Sequence, residues 1–233
     1  MENVILMASG LGTRMRPLTE TMPKPLIDVN NKPMIETIID AFVERGVSHF
    51  YVVVGYLSES FEYLRDKYSN LTLLTNKDYM TINNISSIYT AREELLKGDC
   101  FICEADLYVS NPDILKAELK ESCYFGKMID GYSNDWVFEL DEQNYISRVG
   151  KYGTDCYNMT GIAYFNQKDA ETLSKVISAR YNTEGFENLF WDDVVNENLD
   201  KLKLRVHSID KDDIVEIDTV EELELVRNKF RGL

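Results

Sequence analysis

Val4-Ile5-Leu6-Met7-Ala8-Ser9-Gly10-Leu11-Gly12-Thr13-Arg14-Met15-Arg16-Pro17 is the stretch on which the fold of this chain turns. Val4 to Met7 is an unbroken apolar run, the pattern of a strand buried on both faces. It gives way to a loop holding two glycines, a hydroxyl and two arginines. Gly10 and Gly12 lack Cβ, so backbone N–H groups there can approach an anion closely. Thr13 adds a hydroxyl donor, and Arg14 and Arg16 add charge that does not titrate away. Lys24 follows between Pro23 and Pro25, a cation on a stiffened backbone that loses less entropy when it grips a phosphate. Two familiar phosphate loops do not fit. A P-loop ends in Gly-Lys-Ser/Thr, whereas Gly12 is followed by Thr13-Arg14. The dinucleotide fingerprint wants a third small residue, and Met15 stands there.

Outward from the loop, Pro33 opens a helix in which Ile35, Ile38, Ile39 and Phe42 recur at helical spacing, and Gly46 ends it. His49 to Val54 is a second buried strand. Ser58 is expected to cap a helix with Phe61 and Leu64 inward, and Leu71 to Leu74 is a third strand. This β-α-β-α-β order predicts an α/β fold, a Rossmann-like, mainly parallel sheet flanked by helices. Ligands in such sheets sit at the carboxyl ends of strands, where the Gly10 loop lies. Asn83 or Asn84 caps the next helix, marked by Ile85, Ile88, Ala91 and Leu95. These asparagines and Ser87 either only cap and turn, or read a pyrimidine edge. Asp99 to Glu104 is a fourth strand running into Glu104-Ala105-Asp106. An acid just past a buried parallel strand is where a divalent ion is held against a triphosphate.

From Asn111 the pattern changes. Pro112 is expected to open a helix to Lys120. Shorter alternating segments follow at 124–128, 136–140, 145–149 and 159–165, read as antiparallel strands that make the sheet mixed. Lys168 to Tyr181 is an amphipathic helix. Phe186 to Asp193 is a dense aromatic and acidic cluster leading another helix, and Leu204 to Ile209 is a strand. In Ile214 to Thr219, strand alternation points Glu216 and Asp218 the same way, so both could complete a metal site with Asp106. Thr219 and Glu222 form a capping box for the last helix. With no linker or repeat, residues 1–233 are expected to be a single domain. Residues 1–110 would be its nucleotide-binding half and residues 111–233 its acceptor-binding half.

The 233 residues are 44% apolar, enough for a substantial core, and carry a net charge of −15. That balance argues against a nucleic-acid partner but not against a nucleotide, which needs only local positive charge. No apolar segment approaches the ~20 residues that span a membrane, and no signal-peptide pattern opens the chain, so a cytoplasmic protein is expected. The four cysteines are read as free core thiols. Cys100 and Cys103 face opposite sides of one strand, and only His49 and His207 could join them at a metal.

With these residues in view, the chain resembles the nucleotide-diphospho-sugar transferase superfamily and, more narrowly, bacterial CTP:phosphocholine cytidylyltransferases, along nearly its whole length. The motifs are the Gly-x-Gly-Thr-Arg loop with Pro-Lys-Pro, Asn83-Asn84-Ile85-Ser86-Ser87, Asn134-Asp135-Trp136, Phe190-Trp191-Asp192 and Glu216-Ile217-Asp218. Ser9, where Ala or Gly is usual, and Phe190, where Tyr is familiar, depart from that pattern.

The resemblance implies transfer of a cytidylyl group from CTP to phosphocholine, giving CDP-choline and pyrophosphate. It implies Mg²⁺ held by Asp106, Glu216 and Asp218, with Lys24, Arg14 and Asp106 as the catalytic residues. Gly10, Gly12 and Thr13 would hold phosphates, Ala8, Asn83 and Ser87 would border the cytosine, and Glu104 would lie on the nucleotide side. Trp136, Phe190 and Trp191 would offer aromatic faces to choline, with Asp192 or Asp193 supplying charge. The scaffold also admits phosphoethanolamine, 2-aminoethylphosphonate or a sugar 1-phosphate as acceptor. Arg14, Lys24, Asp106 and Asp218 together argue against a silent nucleotide-binding regulator, and Met15 argues against a nicotinamide-dependent oxidoreductase.

Overall fold

The computed structural model describes residues 1–232. In chain order the strands are β1 (Glu2–Ala8), β2 (Asp28–Val29), β3 (Lys32–Pro33), β4 (His49–Val54), β5 (Leu71–Thr75), β6 (Asp99–Glu104), β7 (Leu107–Val109), β8 (Cys123–Leu140), β9 (Ile146–Phe165), β10 (Arg205–Ser208) and β11 (Ile214–Glu216). The helices are α1 (Met34–Arg45), α2 (Tyr63–Lys67), α3 (Ile85–Thr90), α4 (Gln167–Arg180), α5 (Trp191–Asn196) and α6 (Val220–Lys229). Seven strands form one sheet in the order β10-β8-β9-β6-β1-β4-β5. Neighbours pair in parallel except on the two sides of β9, which runs against both β6 and β8. The sheet is therefore mixed and mainly parallel, with strands from both halves of the chain.

The apolar run of β1 has a direct explanation. Val4 and Leu6 enter the core on one face of the sheet and Ile5 the core on the other, so these three are shut off from water on both faces. Cys100 and Cys103 divide between the same two cores, and all four cysteines are free and buried. A third cluster joins Met15 of the glycine loop to Ile27, Val29 and Met34, and to Ile217, Leu223, Val226 and Phe230 around α6. Met15 is thus an anchor that ties the loop to the C-terminal helix.

Several expectations change in detail. Ser58 opens a 3₁₀ turn without a side-chain cap, and α2 starts only at Tyr63. Pro112 begins another 3₁₀ turn that stops at Lys116, with the Asn111 side chain accepting from the Asp113 N–H. The four alternating segments of the middle region fuse into two long strands. Asn158 pairs with Lys127 on one side and Val137 on the other, so the β8–β9 pair folds back on itself. No helix among the described residues is long and apolar enough to cross a membrane.

Met15 is fully buried. Met15→Ala should lower the unfolding free energy by about 2–5 kcal/mol, the usual range for such a truncation. Urea denaturation measures it, and a loss below about 1 kcal/mol would show that the loop is not anchored there.

Candidate active site

A cavity of about 520 Å³ opens where β1 and β6 end. Its wall includes Ala8, Gly10, Gly12, Thr13, Arg14 and Lys24, then Asn83, Ser87, Glu104 and Asp106, and finally Trp136, Phe190, Glu216 and Asp218. Fourteen of the sixteen residues expected from sequence therefore meet at one place.

The loop is shaped by Gly12, whose φ is 61°. A Cβ there would stand 3.0 Å from both Lys24 Cβ and Thr19 Cγ2, so glycine lets the loop press directly against the lysine. Thr19 Oγ1 donates to Gly12 O at 2.8 Å and fixes that approach. Lys24 Nζ donates to Asp106 Oδ2 and to Asp218 Oδ1, each at 2.6 Å. Arg14 pairs with the same Asp218 oxygen at 2.7 Å; its side chain is 67% exposed against 8% for Lys24. Burial works to lower the pKa of Lys24, but Asp106 and Asp218 outweigh it and hold the ammonium above its ordinary value. Burial likewise opposes ionisation of Asp218, yet Lys24 and Arg14 keep its carboxyl below the usual value.

Carboxylate oxygens of Glu104, Asp106 and Glu216 lie within 4.8 Å of one another. Asp218 stands outside that group and pairs with Lys24 and Arg14. Glu104, expected from sequence on the nucleotide side, belongs to it. The strand pattern could not reveal this, since Glu104 ends β6 and meets Glu216 only through the pairing of β11 with β7. Burial, then repulsion from Asp106 and Glu216, pushes Glu104 well above the ordinary carboxylate range. Burial and the charges of Asp106 and Asp218 push Glu216 up to about 8. An all-oxygen set of close carboxylates that resist ionisation beside one another fits a hard divalent cation.

On the nucleotide side, Ser9 Oγ and Ser87 Oγ lie 2.8 Å apart and Asn76 Nδ2 donates to Ser86 Oγ at 2.8 Å. Asn76 was not singled out in the sequence; it follows β5 and carries no motif. The side chain of Asn84 accepts from the Trp191 N–H at 2.9 Å, and that of Asn83 accepts from the Asn84 N–H at 2.7 Å and donates to Asn188 O at 3.2 Å. Both asparagines therefore fasten the start of α3 to the segment before α5. Tyr79 also lines the cavity. A Cβ on Gly55 would fall 2.7 Å from its ring, and that glycine after β4 was the available signal.

On the acceptor side, the rings of Trp136 and Phe190 meet at 5.3 Å with an interplanar angle of 66°. Trp191 and Asp192 are not part of this corner, which corrects the expected cage. Trp191 is 3% exposed and packs against Tyr124 and Phe165. Asp192 is equally buried and accepts from Tyr124 OH at 2.9 Å; burial pushes its pKa up to about 7. Phe190 precedes α5 with extended backbone and lines the cavity, whereas Trp191 is the first residue of the helix and turns to the core. Lys151, Asp135 and Asn134 line the cavity instead. Lys151 went unnoticed because only the fold of β9 sets it opposite Trp136.

Residues 3–122 match the model of the nucleotidyl transferase family. The chain belongs to that family. It is 50% identical over 95% of its length to the 2-aminoethylphosphonate cytidylyltransferase of Lancefieldella rimae, 90% of which is covered. It is 32% identical over 94% of its length to the choline-phosphate cytidylyltransferase of Streptococcus pneumoniae, 93% of which is covered. The solved structure of CTP:phosphocholine cytidylyltransferase from Streptococcus pneumoniae superposes with a TM-score of 0.88 at 31% identity, covering 98% of each chain. These full-length relatives are cytidylyltransferases, which supports cytidylyl transfer as the reaction class; their acceptors differ.

Glu216 yields a test of the site's electrostatics. Its folded pKa lies above the ordinary carboxyl value of 4.5, so the folded protein holds the proton more tightly than the unfolded chain. Stability from this group is complete below about pH 4.5 and is lost as pH rises towards about 8. In chelator-treated buffer, Glu216→Gln should flatten that loss and melt above wild type at pH 8 by at least about 2 °C. Parallel pH profiles for the two proteins would contradict the arrangement.

Proposed function

We propose that this protein transfers CMP from CTP to 2-aminoethylphosphonate, releasing pyrophosphate. The observation that carries the chemistry is Lys24, buried in the cavity between Asp106 and Asp218. A phosphonate oxygen attacks the α-phosphorus of CTP. The new P–O bond forms as the bond from that phosphorus to the bridging oxygen breaks, and pyrophosphate leaves. The attacking oxygen is already anionic, so no general base is needed; positioning and charge neutralisation supply the catalysis.

Lys24 then leaves its carboxylates for the α-phosphate and the incoming phosphonate. Arg14 and the backbone from Gly10 to Thr13 hold the β- and γ-phosphates, while Ser9, Asn76 and Ser87 border the cytosine. Mg²⁺ is the proposed cofactor, held by Asp106, Glu216 and Glu104, and supplies charge neutralisation at the phosphates. The free cysteines are the state that a reducing cytoplasm maintains, and we propose that compartment.

The acceptor reading rests on two supports. One is the 50% identity to a 2-aminoethylphosphonate cytidylyltransferase over nearly the whole chain. The other is that Trp191 is withdrawn from the cavity, while Asp135 and Asn134 offer directed acceptors of the kind a primary ammonium requires. Phosphocholine is the second reading. The Trp136–Phe190 corner and the likeness to CTP:phosphocholine cytidylyltransferase favour it.

Pyrophosphate release from each of the four nucleoside triphosphates, tested with 2-aminoethylphosphonate, phosphocholine, phosphoethanolamine and glucose 1-phosphate, decides between them. CTP with 2-aminoethylphosphonate should exceed CTP with phosphocholine by at least about tenfold in kcat/KM, or 1.4 kcal/mol. A preference for phosphocholine would return the second reading, and a preference for another nucleotide would overturn cytidylyl transfer.

A further inference from the structure

We propose that Lys151 is a specificity-determining residue that excludes quaternary ammonium heads from the acceptor pocket. This rests on the reading above that the cavity accepts a cationic acceptor, and it names the residue that chooses among such acceptors. Lys151 Nζ stands 5.8 Å from the centroid of the Trp136 ring and 5.5 Å from that of Phe190. Both distances fall within the range over which an ammonium is drawn to an aromatic face. Among the described residues its ammonium has no hydrogen-bond or ion-pair partner, although the chain carries a net charge of −15. An exposed cation of the protein therefore stands over the aromatic corner.

The position of this lysine is built into the fold. Trp136 and Lys151 are register partners in the β8–β9 pair. The backbone that carries Lys151 is clamped by Arg148, whose guanidinium donates to Lys151 O at 2.5 Å and Tyr152 O at 3.2 Å. Arg148 is itself fixed by Glu139 at 2.7 Å. A Cβ on Gly150 would stand 3.1 Å from Arg148 Nη2, so the glycine gives the guanidinium room to fold over this turn.

The consequence for acceptors follows from chemistry. Trimethylammonium has no N–H, so aromatic faces and diffuse charge are its means of recognition. To use Trp136 and Phe190 it must displace Lys151, or sit beside a like charge. A primary ammonium instead donates hydrogen bonds, and Asp135 and Asn134 line the same cavity. It can bind without evicting the lysine. The corner that resembles a choline cage thus carries a cation of the protein over its rings, which turns the pocket toward primary amines.

The test compares wild type with Lys151→Met, which keeps the length and removes the charge, and Lys151→Arg, which keeps the charge. KM is measured for phosphocholine and for 2-aminoethylphosphonate with saturating CTP, and the dissociation constant of free choline is measured by calorimetry. In Lys151→Met the KM ratio of phosphocholine to 2-aminoethylphosphonate should fall at least about fivefold, and choline should bind at least about fivefold more tightly. Lys151→Arg should keep both quantities within about twofold of wild type. Equal changes for the two acceptors, or no gain in choline binding, would overturn the proposal and leave Lys151 a surface charge. The acceptor reading is judged separately, by which acceptor the wild type prefers. If wild type uses neither acceptor, that reading fails and the choline measurement alone decides the role of Lys151.

Discussion

Lys24 holds together carboxylates that would otherwise repel one another at the end of the sheet. Asp106 and Asp218 both accept from its ammonium, while Glu104 and Glu216 crowd Asp106 from the other side. Removing either partner of such a buried pair leaves an uncompensated charge, which is costly. Much of the architecture follows from this need. Gly12 admits the lysine against the loop, Met15 ties the loop to α6, and the pairing of β11 with β7 brings Glu216 to the end of β6. The arrangement is also a store of groups ready for exchange. A divalent cation can take the three close carboxylates, and phosphate oxygens can take over Lys24 and Arg14.

The N-terminal half was largely legible in the sequence because its signals are local. Apolar runs gave the parallel strands, Gly46 stopped α1, and the Gly10–Gly12 loop with Lys24 marked the phosphate end. Thr219 and Glu222 likewise announced the capping box of α6. The acceptor half was less legible because its features arise from tertiary pairing. Alternating segments fused into long strands that fold back, and only that fold brings Lys151 to Trp136. A motif gives residue types but not where a helix begins: Phe190, before α5, lines the cavity, and Trp191, its first residue, enters the core. The place of Glu104 in the carboxylate cluster has the same origin, since alternation along one strand is silent about which acids another segment brings.

The two halves of the cavity divide the chemistry. One wall, built by the ends of β1 and β6 with the glycine loop, carries the charges that we propose serve triphosphate transfer. The other, built by β8, β9 and the start of α5, carries aromatic faces, one lysine and Asp135. The shared wall accounts for membership of a family whose acceptors vary. The proposed role of Lys151 would let the second wall change its preference without disturbing the first.

The central claim is that the carboxylate cluster serves catalysis rather than folding. The most direct test is the turnover of Asp106→Asn with CTP and its best acceptor at saturating Mg²⁺, with the fold checked by circular dichroism. The account predicts a folded protein whose kcat falls by about 10²-fold or more, as when a charge clamp on a phosphoryl group is lost. Turnover within about threefold of wild type would contradict it.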